Sequence, residues 1–118
     1  MSTTTYQEKV RAMKRHRGDL AAGQPEMMQA FAALSDAASA PGQPDAKTKE
    51  LIALGIGVVN HCDECIAVHL HDALEAGATK QEIVETLGVA ILMGGGPAVM
   101  YSTHAIAALK ELEAVPAA

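Results

Sequence analysis

Aromatic residues are nearly missing from this 118-residue chain: there is one Phe (Phe31), there are two Tyr (Tyr6 and Tyr101) and there is no Trp. A core built from such a chain takes its bulk from Leu, Ile, Val and Met. The 23 alanines favour helices whose backbones approach closely. Cysteine is equally scarce. The two that occur, Cys62 and Cys65, lie within four residues, too short a loop to staple a secreted fold, and such a pair in a reducing compartment points to redox or metal chemistry. No run approaches the roughly 20 apolar residues of a membrane-spanning helix. The longest, Leu51 to Val59, holds nine. A charged segment followed by an apolar one is not seen in Met1 to Thr5, so no secretory signal is expected, and a cytoplasmic location is the expectation. Excess positive charge is lacking too: the net charge of -5 gives nucleic-acid phosphates little to bind. The basic cluster Lys9 to Arg17 reads as the solvated face of a helix.

What is present is helical. One domain, 1–118 with its core in 45–113, fits the length. Thr5-x-x-Glu8 has the form of a capping box, with a helix following to about Arg17 and a stop at Gly18. Pro25 opens a second helix, in which Met27, Met28, Phe31, Leu34 and Ala38 recur at spacings of three and four. After the Pro41 to Pro44 break, Asp45 caps a third helix to about Asn60 whose interior, Leu51 to Val59, is apolar on every face. A strand competes for that run, but Gly55, Gly57 and the helical lead-in from Ala46 to Glu50 favour a buried helix. A fourth helix spans Cys62 to Ala76 and ends at Gly77, which suits the C′ position. Thr79-x-x-Glu82 is a second capping box, opening a helix that Gly94-Gly95-Gly96-Pro97 breaks. A sixth runs from about Pro97 to Glu113, and the tail Val115 to Ala118 is expected to fray.

The chemistry concentrates in Asn60 to His69. With a helix starting near Cys62, both sulfurs lie in its first turn, where unpaired N–H groups and the helix dipole favour thiolate over thiol. Lowering a thiol pKa from about 8.5 to about 7 raises the ionised fraction at neutral pH roughly fifteenfold. His69 stands one turn beyond Cys65 on the same face and can accept or return its proton. Cys65 is therefore the candidate for attack, and Cys62 completes a disulfide within bonding reach. Glu50, on the preceding helix, is either solvated or turned toward the cysteine pair as a proton acceptor. Other readings use the same residues. Cys62, Cys65 and His69 with Glu50 or His61 could hold zinc, although the second half of a structural zinc motif is missing. His71 and His16 read as solvated. Tyr101 and His104, one turn apart on the last helix, and Asp63 and Glu64, between the cysteines, read as packing or surface.

Glu50, eleven residues, Cys62, two residues, Cys65, three residues, His69: this pattern, with Asp72 to Ile83 and the Gly94 to Tyr101 turn downstream, resembles the AhpD-like alkylhydroperoxidase branch of the carboxymuconolactone decarboxylase family. The resemblance covers about Asp45 to Glu113. It implies an all-α bundle of about six helices, a single module that assembles as a homo-oligomer, and peroxide or disulfide reduction by a Cys62–Cys65 disulfide; with the apolar run Leu51 to Val59, a trimer or hexamer is expected. It makes Cys65 the sulfenic acid former, Cys62 its proton donor and resolving partner, and Glu50 and His69 the proton relay. The partners implied are a peroxide or disulfide substrate and a dithiol reductant, with no cofactor. The sequence departs from the AhpD pattern at Glu64, which stands where that pattern has histidine and adds negative charge opposing a thiolate. The decarboxylases of the family lack the cysteine pair, so acid–base chemistry by Glu50 and His69 without thiols is the rival enzyme reading. A metal-binding or redox-sensing module is the other.

Overall fold

The computed structural model describes residues 5–114, and every regular element among them is a helix: α1 (Tyr6–Gly23), α2 (Pro25–Ser39), α3 (Ala46–Val59), α4 (Asp63–Glu75), α5 (Lys80–Gly94) and α6 (Gly96–Ala114). Both capping boxes form. Thr5 accepts from the Glu8 amide while Glu8 takes the Thr5 amide, and Thr79 and Glu82 do the same at α5. Asp45 caps α3 through the Thr48 amide at 2.8 Å. Gly77, at φ 98°, closes α4 at C′, with the Ala78 amide bonding the Ala73 carbonyl and the Gly77 amide the Leu74 carbonyl. That double bond pattern is a Schellman motif. The tail Val115 to Ala118 and residues 1–4 lie outside the described residues.

Two expected breaks differ from the observed ones. α1 runs through Gly18 to Gly23, because one mid-helix glycine costs only about 1 kcal/mol and the following Asp19 to Ala22 continues the helix. The break comes at Gln24, at φ −140°, where the residue before Pro25 is sterically kept out of helical geometry. Of the Gly94 to Pro97 breaker only Gly95 leaves the helix, at φ 70°, a conformation favouring glycine.

The core belongs to α3–α6. Leu54 and Val58 of α3 meet Ile66 and Leu70 of α4, Ile83 and Leu87 of α5, and Ala105 and Leu109 of α6. Fully burying each Leu or Ile contributes roughly 2 kcal/mol. Alanine and glycine set the spacing: Gly94 lies so close to Ala98 that an added Cβ would sit 2.7 Å from the alanine's own. α3 is buried on one side only. Leu54, Gly57 and Val58 are covered, whereas Ile52 and Ile56 are 53% and 55% exposed, so the all-round apolar helix presents a bare face in the single chain. No residue of α1 or α2 is buried, and Met27, Phe31 and Leu34 of α2 are exposed.

Candidate active site

The end of α3 positions the first cysteine. Asn60 is the C-cap and His61 takes the C′ place in the left-handed region at φ 57°, unusual for a non-glycine residue. The His61 amide bonds the Val58 carbonyl and the Cys62 amide bonds the Gly57 carbonyl at 3.0 Å, a second Schellman motif that reverses the chain in three residues. α4 then begins with Cys62 as its N-cap, and the Cys62 Sγ accepts from the Cys65 amide at 3.2 Å. The helix thus starts at Asp63, one residue later than its expected start, and a sulfur does the capping usually done by oxygen. Cys62 and Cys65 are joined as a disulfide, with their Cα atoms 5.2 Å apart. Gly57 approaches Cys65 so closely that a Cβ on it would stand 3.1 Å from the Cys65 Cβ.

Because α3 and α4 are joined by this tight turn, they run antiparallel, and the start of α3 returns to the second turn of α4. Glu50 meets His69 there: Oε2 lies 2.7 Å from Nδ1. The Glu50 side chain is 14% exposed and the His69 side chain 33%, so the carboxylate is turned inward rather than solvated. An ionised carboxylate at Nδ1 fixes the proton on that nitrogen and leaves Nε2 as the acceptor. Asp72 adds a third ligand atom. The ligand atoms of Glu50, His69 and Asp72 all lie within 4.8 Å of one another, the geometry a divalent cation could use. The cysteine sulfurs, bonded to one another, are not free for the zinc set drawn from Cys62, Cys65 and His69.

A second cluster was not legible in the sequence. Asp63, read as surface, accepts from Lys9 Nζ at 2.9 Å on one oxygen and lies 2.7 Å from His104 Nδ1 through the other. Lys9 therefore leaves the solvated basic face of α1, on which Arg11, Lys14 and Arg17 remain exposed. Burial works against the Asp63 charge, but the hydrogen bonds from Lys9 and His104 outweigh it and hold the carboxyl below the usual carboxylate range. Tyr101 stacks on His61 with ring centroids 4.7 Å apart and planes 10° from parallel, and it tilts against His104 at 4.8 Å. The i, i+3 spacing of Tyr101 and His104 was the available signal. Tyr6 belongs to the same neighbourhood: desolvation, then the charges of Asp63 and Glu111, push its phenol up to about 12. Glu64 has no hydrogen bond or ion pair among the described residues. His71 and His16 are exposed as expected, beside Asp72 and Asp19.

Residues 25–111 match the model of the carboxymuconolactone decarboxylase family. An uncharacterized protein of Cupriavidus necator is 38% identical over 112 residues, covering 95% of this chain and 99% of that one. The alkyl hydroperoxide reductase AhpD of Nocardia farcinica is 36% identical over 59 residues, 50% of this chain and 33% of that enzyme. In three dimensions the chain is similar to a carboxymuconolactone decarboxylase family protein of Legionella pneumophila, with TM-score 0.86, 37% identity and coverage of 90% of this chain and 95% of that one. A family protein of Thermotoga maritima, under consideration for a role in the antioxidative response, matches with TM-score 0.80, 32% identity and coverage of 89% and 90%.

Proposed function

The chain belongs to the carboxymuconolactone decarboxylase family, and from that premise we propose that it is a thiol-dependent peroxidase or disulfide oxidoreductase cycling Cys62 and Cys65 between dithiol and disulfide. The observation that carries the reading is the Cys62–Cys65 bond at the start of α4, one helical turn from a histidine already paired with a carboxylate. His69 Nε2 takes the Cys65 proton, and the Cys65 thiolate attacks the outer oxygen of a hydroperoxide. The O–O bond breaks, the alkoxide leaves as alcohol with a proton from the His69–Glu50 pair, and Cys65 becomes a sulfenic acid. Cys62 attacks that sulfur as thiolate, hydroxide leaves and is protonated to water, and the disulfide forms. A helix start favours that second thiolate, since the Cys65 amide points at the Cys62 sulfur. A dithiol reductant returns two electrons and two protons. With a disulfide substrate the same Cys65 thiolate attacks sulfur instead of oxygen.

Peroxide consumption with a dithiol reductant, read together with mass analysis of the cysteine pair, tests this. Turnover with the Cys62–Cys65 disulfide accumulating when reductant runs out is the expected result. Two free thiols after stoichiometric peroxide, or activity that survives Cys62→Ser with Cys65→Ser, would refute it, and the latter would favour acid–base chemistry by Glu50 and His69.

The same reading includes self-assembly as a trimer or hexamer. Its support is the bare face of α3 and α5, a groove of about 480 Å³ lined by residues such as Ile52, Ile56, Val59, Val89 and Met93. An interface of standard size removes about 800 Å² per partner. Light scattering should give a multiple of 12.3 kDa that persists on dilution, and a mass of one chain would exclude it.

A further inference from the structure

Resting on the thiol reading, we propose that Lys9 and His104 are positioning residues that neutralise Asp63 and so let the start of α4 hold a thiolate on Cys62. The difficulty they answer is electrostatic. The first turn of α4 carries Asp63 and Glu64 between the two cysteines. Acidic groups there suit the helix dipole, but each is a like charge beside a sulfur that must ionise, and like charges disfavour ionisation. Asp63, bonded in sequence to Cys62, has both carboxylate oxygens engaged from outside its own helix: Oδ2 by Lys9 of α1, 54 residues away, and Oδ1 by His104 of α6, 41 residues away.

The neighbourhood holds this arrangement in place. Lys9 Nζ lies 5.5 Å from the centroid of the Tyr6 ring. Tyr101 packs against His104 on one side and His61 on the other, so the run His61-Cys62-Asp63 is fastened to α6 on both sides of the cysteine. The groups around Asp63 are Lys9 and Tyr6 from α1 and His104 from α6, with Tyr101 against His104, His61 stacked on Tyr101, and Glu64 next in sequence. Tyr6 stays neutral through the working range, and Glu111 of α6 is taken up by the Tyr6 amide at 3.0 Å. Lys9 and Asp63 then sum to zero, and the His104 ring occupies the remaining carboxylate oxygen. Cys62 reactivity therefore depends on both partners of the Asp63 carboxylate.

Alkylation of the reduced protein by iodoacetamide from pH 5 to 9, with Cys62 and Cys65 resolved by peptide mass, tests this without requiring peroxide turnover. Lys9→Met should slow Cys62 alkylation at pH 7 about three- to tenfold and move its midpoint upward. Adding Asp63→Asn to Lys9→Met removes the uncompensated charge and should restore the wild-type rate. His104→Phe removes the bond to Asp63 Oδ1 and should slow Cys62 alkylation at pH 7 in the same direction as Lys9→Met, by less. An unmoved Cys62 titration in Lys9→Met, or no rescue by Asp63→Asn, overturns the proposal. Should Lys9→Met lose its helical circular dichroism, Asp63→Asn alone decides: it leaves the Lys9 ammonium uncompensated and should lower the Cys62 midpoint, and an unmoved midpoint overturns the proposal. Failure of the peroxidase reading looks different: peroxide turnover is then missing from the wild type while its Cys62 titration and the rescue are intact.

Discussion

Gly57 touches both cysteines at once, and replacing it by alanine perturbs the site by a single methyl group. Its carbonyl accepts the Cys62 amide, and its open Cα face receives the Cys65 Cβ, which a new Cβ would meet at 3.1 Å, with the Cys65 carbonyl carbon and the Ile66 nitrogen at 3.6 Å. The nearest contact is a Cβ fixed to backbone, which cannot swing away like the end of a long side chain. Two terms then oppose each other. Alanine in a helix interior is favoured over glycine by about 1 kcal/mol. Forcing a methyl into a closed contact costs typically 1–3 kcal/mol. Gly55→Ala is the control on the same helix, since its nearest neighbour, Thr86 Cγ2, would lie at an ordinary 3.7 Å. Gly55→Ala should therefore stabilise by up to about 1 kcal/mol, while Gly57→Ala should destabilise by about 0–2 kcal/mol, a gap of about 1–3 kcal/mol between the two. Urea denaturation of the oxidised proteins at equal protomer concentration measures that gap. The two variants stabilising equally would show that the α3–α4 approach is slack and that Gly57 does not hold Cys65.

His69→Ala should slow Cys65 oxidation by peroxide about 10²-fold or more while leaving helix content unchanged, as stopped-flow kinetics and circular dichroism would show. Thr79→Ala removes the side-chain half of the α5 capping box and should cost about 1 kcal/mol of stability, read from the shift in urea midpoint. Tyr6 has a folded pKa raised from 10.0 to about 12, so its contribution is fully present below pH 10 and is lost as pH rises toward 12. With the ring partly open to solvent that loss is of order 1 kcal/mol, and Tyr6→Phe should remove this component from the alkaline denaturation curve.

Features that depend on neighbours in the chain were legible from sequence, and those that depend on helix crossings were not. Thr5 with Glu8, Asp45, Gly77, and Thr79 with Glu82 all sit within a turn of the groups they satisfy, so their residue types announced them. Gly18 misled because a propensity penalty of about 1 kcal/mol is a weak stop when helix formers follow. Whether Glu50 faced water or the site depended on the antiparallel return of α4 against α3, which the spacing from Glu50 to His69 allows without requiring. Asp63 with His104, and His61 with Tyr101, are joined only because α6 crosses the start of α4, and no local pattern records that crossing. The bare face of α3 shows the converse: an apolar run is visible in sequence, but its covering partner is not fixed by the run itself.

The first two helices, without one buried residue between Tyr6 and Ser39, also shape how the molecule breathes. The buried core lies in α3–α6, with Tyr6 packed against it, so the leading hairpin should open more often than the whole chain unfolds. Its amides should exchange with deuterium ahead of those of α4 and α5. Lys9 rides on that unit, so each opening takes its ammonium away from Asp63 for as long as the hairpin is detached. In the reduced protein, reactivity at Cys62 should then average over closed and open populations, and mild denaturant should depress it before the α3–α6 core begins to melt.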